Sequence, residues 1–250
     1  MDFTLKIYKD LLRALKSKGY SFLTFEEFIL NPQEKCIMLR HDVDLLPSNS
    51  LSFAKIQASM EIKGTYFFRA VPESWDESII KEIHSLGHEI GYHYENLTTC
   101  KGDFKKAIKD FEFNLNKLRD LVPVKTICMH GSPMSKYDSK DLWNMYDYED
   151  FKIIGEPYFD IDFVKVFYLT DTGRKWDGNK VSVRDKVNST FNLSFHSTND
   201  IIQNIDKLPN QIMFTFHPQR WNDNMFIWIK ELILQNIKNL IKRLFFVKRK

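Results

Sequence analysis

The sequence predicts an α/β fold, a barrel of about seven to eight parallel strands joined by helices. Three observations predict it. Short apolar runs alternate with segments of helical periodicity along most of the chain, the pattern of strand–helix–strand units. The strand candidates number about eight, as many as a closed α/β barrel needs. Four of them end in an acid or a histidine, and in such a barrel the C-terminal ends of all strands share one face.

In order, an opening helix is expected near Leu5–Lys18, where apolar residues recur at helical spacing. The apolar runs Ile37–Val43, Thr65–Arg69, Glu89–His93, Val124–His130, Phe151–Ile154, Val164–Leu169, Leu193–His196 and Ile212–His217 read as strands. Helical patterns fill Ser50–Ile62, Asp76–Leu86, Phe104–Leu121, Lys140–Met145 and Asp200–Ile205, with a long final helix from Asn224. The stretch Asp171–Asn192 interrupts this rhythm with small and charged residues, and a long irregular excursion of that kind reads as a functional loop beside a substrate cleft. No internal repeat or low-complexity linker divides the chain, so residues 1–250 are expected to form one barrel domain.

Composition narrows the function. With 43% hydrophobic and 28% charged residues the 250-residue chain has the makeup of a globular protein with a large core. A net charge of +3 is too mild to argue for nucleic acid, and no arginine-rich patch with interleaved aromatics appears. Cys36, Cys100 and Cys128 have no close pairing, which fits free thiols in a reducing compartment. The N-terminus lacks a signal-peptide pattern, and no apolar run approaches the ~18 residues of a membrane span. A cytoplasmic location follows as the expectation. The tail adds a qualification: residues 223–250 hold seven lysines and arginines against Asp223 and Glu231, with Phe226, Ile229, Ile233, Ile237, Leu240, Ile241 and Leu244 at helix spacing. A basic amphipathic helix over 224–250 is expected to pack on or extend from the barrel, with peripheral membrane contact as one use.

The most informative motif is Arg40-His41-Asp42-Val43-Asp44, directly behind the apolar Cys36-Ile37-Met38-Leu39. Side-chain direction repeats every second residue of a strand, so both aspartates face one side. Two like charges on one face call for a metal ion or a shared catalytic proton. His93, His130 and His217 end other strand candidates and would converge on the same mouth. Carboxylate and imidazole donors together suit a divalent metal, with Zn²⁺ the first choice. His41 faces away from the acids, and His88 faces away from His93, so hydrogen-bonding or packing roles are expected for both.

These residues resemble the polysaccharide deacetylases of the NodB-homology group, the carbohydrate esterase type. The likeness runs in order through Arg40-His41-Asp42-Val43-Asp44, Thr65-Tyr66-Phe67-Phe68, Gly87-His88-Glu89-Ile90-Gly91-Tyr92-His93, Met129-His130-Gly131-Ser132-Pro133, Asp171 to Trp176, and Phe214-Thr215-Phe216-His217-Pro218. The resemblance implies a distorted (β/α) barrel and metal-assisted removal of an N-acetyl or other N-acyl group from a sugar, as in a precursor of surface polysaccharide. It also implies Asp42 as general base, Asp44 and His93 as metal ligands and His217 as general acid.

The sequence departs from the family in three places. Val43 separates aspartates that are usually adjacent, which leaves open which acid is base and which is ligand. Leu97 stands where a second histidine is usual, and His130 where the third motif usually brings an arginine. The expectation is that His130 replaces the lost ligand, with Glu95 as the alternative, and that Arg174 orients a site carboxylate. Tyr94, Asp171, Trp176, Arg220 and Trp221 are candidates for holding the sugar, the rings by stacking and the arginine as a fork for carboxylate or phosphate. Two other readings remain: a metal-free carbon–nitrogen hydrolase using Asp42, His130 and His217, and a sugar-binding relative without turnover.

Overall fold

Helix α1 (Leu5–Ser17) starts where Thr4 accepts a hydrogen bond from Ile7 N, and it buries Tyr8, Leu11, Leu12 and Leu15. The computed structural model that shows this describes residues 1–176 and 187–245. A short strand β1 (Ser21–Leu23) and helix α2 (Phe25–Leu30) follow, the helix opened by a reciprocal capping box between Thr24 and Glu27. Next come β2 (Cys36–Val43), α3 (Pro47–Ala58), β3 (Thr65–Phe68), α4 (Glu77–Ser85) and β4 (Glu89–Tyr94). After them lie α5 (Asn96–Thr99), α6 (Phe104–Arg119), β5 (Ile127–Met129), α7 (Pro157–Asp160) and β6 (Phe167–Thr170). Helix α8 (Thr198–Gln203), strand β7 (Gln211–Phe216) and helix α9 (Met225–Phe245) complete the described chain.

The seven strands form one sheet in the order β5-β4-β3-β2-β7-β6, and β1 pairs with the start of β2. Every pairing is parallel, as crossover helices require. The outer strands β5 and β6 do not pair with each other among the described residues, so the sheet is a distorted, open (β/α) barrel. All eight residues of β2 are buried, consistent with its central place between β7 and β3.

Strand alternation divides the core. Ile37, Leu39 and Val43 of β2 join Tyr66, Phe68, Ile90 and Tyr92 under the helices, with Leu11 and Leu12 of α1 and Phe111 of α6. The other face carries Cys36 and Met38 of β2 with Phe67, Cys128 and Met213. Continued toward the strand ends, this second row places Arg40 and Asp42 after Met38, His93 after Gly91, His130 after Cys128, and His217 after Thr215. The parallel sheet therefore brings chemically capable side chains to one mouth.

Several expected elements differ. Phe151–Ile154 is not a strand: Asp147 caps a 3-10 helix over Tyr148–Phe151, Lys152 turns left-handed, and only the Thr126–Gly155 bridge pairs there. Leu193–His196 is irregular, because His196 N is bound by Asp200 Oδ2 at the start of α8 rather than by a ladder. The polar excursion is described only in part, since residues 177–186 lie outside the described residues. No helix among the described residues is long and apolar enough to cross a membrane.

Candidate metal and acid–base site

Asp44 Oδ1 lies 3.7 Å from His93 Nε2 and 3.4 Å from His130 Nε2. A tetrahedral ion with metal–ligand bonds of about 2.0–2.1 Å has donor–donor edges of roughly 3.3 Å, so the two edges from Asp44 are close to that spacing, and the three donors all lie within 4.8 Å of one another. Asp44 Oδ1 is also buried with no hydrogen-bond partner, while Oδ2 accepts from Gln219 Nε2 at 3.1 Å. A buried carboxylate oxygen left bare is costly, and an ion would satisfy it.

Both imidazoles are set for ligation by the nitrogen they turn away. His93 Nδ1 meets the Cys128 carbonyl at 2.8 Å, and His130 Nδ1 meets Glu95 Oε2 at 2.9 Å. Nδ1 as donor leaves the Nε2 lone pair facing Asp44. Burial, reinforced by His130, holds His93 well below the usual histidine pKa, which favours the neutral form that a metal ligand needs. Burial alone would push the Asp44 carboxyl up, but the neighbouring His130, His217 and His93 outweigh it and hold it below its ordinary value. Asp42, His93 and Cys128 form a second convergent group. It fits an ion less well, because both Asp42 oxygens are already held.

Arg40 holds them, with Nε 2.8 Å from Oδ1 and Nη2 2.7 Å from Oδ2. The two residues share a strand face and are both buried, so the fork is formed within a single strand. This is the clamp expected of Arg174, which instead donates to the Trp228 carbonyl at 3.0 Å and lies against the Phe3 and Trp228 rings. The signal was present in the sequence as the i, i+2 spacing of Arg40 and Asp42.

Across the mouth, His217 Nδ1 lies 2.5 Å from Asp171 Oδ1, and its Nε2 is 4.0 Å from Asp44 Oδ2. Asp171 is fully buried and also accepts from His217 N, Arg220 Nη1 and Trp221 Nε1. Burial would raise its pKa, but His217 and Arg220 hold it below the ordinary aspartate value. Asp171 is therefore fully buried against His217 and exposes no oxygen to the cleft as the expected sugar contact would. Glu95, the alternative ligand, is held instead by Arg69 at 2.8 and 2.5 Å and by His130; burial would raise its pKa, but His130 and Arg69 together hold it down to about 2.

The expected stacking residues are corrected as well. Tyr94 is 0%, Trp221 1% and Trp176 5% exposed, so none of these rings offers a face to a sugar. Alternation explains Tyr94, which follows His93 and faces the helices with Phe111 and Trp143. Trp176 and Trp221 pack with Phe3 and Phe216. Arg220 does line the cleft, beside Tyr158, Ser132 and Lys242, none of which the sequence singled out. His41 is buried against Tyr8, Gln57 and the Thr65 carbonyl, and His88 bridges Gly64 N and the Ala54 carbonyl.

No protein-family model and no curated protein matches the chain. Among solved structures it is similar to the CE4 domain of a multidomain xylanase from the hindgut metagenome of Trinervitermes trinervoides, at 15% identity and TM-score 0.44 over 83% of this chain and 85% of that one. A CE4 family pseudoenzyme from Bacillus anthracis matches at 14% identity and TM-score 0.43, over 85% of this chain but 63% of that one. A family 4 carbohydrate esterase from Bacillus anthracis matches at 11% identity and TM-score 0.41, over 96% and 90%. These neighbours, enzyme and pseudoenzyme alike, belong to one carbohydrate esterase family, and at such scores the chemistry of this chain rests on its own residues.

Proposed function

We propose that the protein is a metal-dependent amide hydrolase that removes an N-acyl group, typically acetyl, from a sugar. The observation that carries this reading is the bare, buried Asp44 Oδ1 facing His93 Nε2 and His130 Nε2, with Asp42 and His217 beside it. Asp44, His93 and His130 would hold the ion, and one carboxylate with two imidazoles suits Zn²⁺. Such an ion supplies Lewis-acid polarisation of the scissile carbonyl.

The chain's own residues supply the proton transfers. Asp42, fixed by the Arg40 fork, takes a proton from the attacking water. His217, oriented by Asp171 so that Nε2 faces the cleft, gives a proton to the departing nitrogen. Without that proton the amine is a very poor leaving group. The products are the free carboxylic acid and the amino sugar.

Metal content and acyl release test the reading together. Purified protein supplied with Zn²⁺ is expected to hold about one ion per chain and to release acetate from N-acetylated sugars. Asp44→Ala, His93→Ala and His130→Ala lose both, whereas Glu95→Gln binds the ion roughly 10–100-fold more weakly. Undiminished metal content in His130→Ala would refute the ligand set, and acetate release from metal-free protein would refute metal dependence.

A further inference from the structure

Helix α9 packs on the body with the wrong face. Among its described side chains the buried ones are Gln235 and Asn239, hydrogen-bonded to each other, with Asn239 Nδ2 donating to the Gly173 carbonyl at 2.8 Å. On a helical wheel Phe226, Ile229, Ile233, Ile237, Leu240 and Leu244 form one stripe opposite that polar contact, and all six are exposed. An amphipathic helix of a globular protein shows the reverse arrangement. The helix expected to pack on or extend from the barrel thus meets the body through Gln235 and Asn239 and not through its apolar stripe.

A second apolar row, Ile227, Leu234 and Ile241, faces sideways and lines a groove of about 600 Å³ between α9 and the barrel. Its opposite wall is Leu45, Leu46 and Met134. The groove is continuous with the candidate catalytic cleft, since Asp44, Pro133, Arg220 and Lys242 line both. Its charged rim is mainly basic: Lys230, Lys238, Lys242 and Arg220 face Glu231, with Asp44 at the catalytic end. An apolar trough with basic groups at the end nearest the reacting centre is complementary to a chain-bearing anion.

We propose that this groove holds the hydrocarbon chain of a membrane-borne lipid phosphate whose sugar head reaches the cleft, with α9 lying in the membrane surface on its outward apolar stripe. The idea rests on the hydrolase reading for its sugar head, and on α9 and the groove beside it for its lipid. The stripe would enter the acyl boundary of the leaflet, and Lys230, Lys238 and Lys242 would meet anionic head groups and the phosphate linker.

Two measurements on the full chain test this. In flotation with phosphatidylcholine vesicles containing phosphatidylglycerol, the protein is expected to float, and an Ile233→Glu, Ile237→Glu double variant to lose roughly tenfold or more of its binding. In fluorescence titration with farnesyl phosphate, Leu234→Glu and Lys238→Glu are each expected to weaken binding by roughly tenfold, with neither farnesol nor inorganic phosphate matching farnesyl phosphate. All three variants should retain hydrolysis of a small soluble N-acetylated sugar, because none of these side chains belongs to the proposed chemistry. Loss of that hydrolysis in wild type, with lipid binding intact, would defeat the hydrolase reading and leave the groove standing. Failure to float, farnesyl phosphate binding unaffected by Leu234→Glu and Lys238→Glu, or a stable dimer that Ile233→Glu, Ile237→Glu dissolves would overturn the lipid proposal.

Discussion

The site is built from side chains that come in oriented pairs. His93, His130 and His217 each give Nδ1 to an acceptor, the Cys128 carbonyl, Glu95 and Asp171, so that each turns Nε2 toward Asp44. Arg40 fixes Asp42 in the same way through both carboxylate oxygens. Such supports define geometry to the accuracy a reaction needs. Replacing Arg40 by Met leaves Asp42 a buried, uncompensated carboxylate and is expected to cost about 3–5 kcal/mol of stability together with most of the activity. Urea unfolding of Arg40→Met against wild type measures the first and acetate release the second; a stability change below 1 kcal/mol would show the pair to be dispensable. Which aspartate faces which partner was not legible from Asp42-Val43-Asp44, because like residues on one strand face differ only in what the neighbouring strands bring to them.

At the scale of elements, β4 shows why one motif has its form. Phe67 of β3 is paired with Gly91, and a Cβ at Gly91 would sit 2.4 Å from the Phe67 ring and 3.0 Å from the Thr126 carbonyl. The glycine therefore makes room for a ring on the inner face, two residues before His93. Gly91→Ala is expected to lower stability by about 1–3 kcal/mol through overpacking and to disturb His93 as the ring shifts. Calorimetry and metal titration of that variant check both, and an unchanged melting temperature would refute the packing argument. The long buried strands and helices were legible because β2, β4 and β7 contain short apolar runs while α1 and α6 carry clean helical periodicity. The three-residue β1 is too short for a periodic signal, although Thr24 and Glu27 spell out the capping box of α2. Helix α9 was legible as a helix but not as to which face it buries, since that is settled by Gly173 and the Gln235–Asn239 pair.

The whole molecule carries two buried histidines remote from the proposed reaction, and they set an acid limit to its stability. Burial pushes His41 down to about 3 and His88 down to about 4, from an ordinary value of 6.5. Depressed folded pKa values mean that the unfolded chain takes up protons the native state refuses. Stability is then fully present above pH 6.5 and falls as the pH drops from there toward the folded values of about 3 and about 4. Each histidine is expected to remove roughly 3 kcal/mol by pH 4. Urea midpoints followed from neutral pH downward measure the slope, and His88→Gln should flatten it; an identical slope in the variant would count against the neutral buried imidazole.

What the sequence determined by itself was the α/β class, the order of most strands and helices, and the positions where acids and histidines end parallel strands. Those features are local: periodicity, strand alternation and the shared direction of parallel strands follow from the chain's own spacing. Tertiary structure alone decided the partners. It put Asp171 under His217 and Glu95 behind His130, gave Asp42 to Arg40 rather than Arg174, and buried Tyr94, Trp176 and Trp221. It also turned the apolar stripe of α9 outward. A residue type fixes what a side chain can donate or accept, but its partner is set by which remote segment packs against it, and that depends on the summed burial of the whole core.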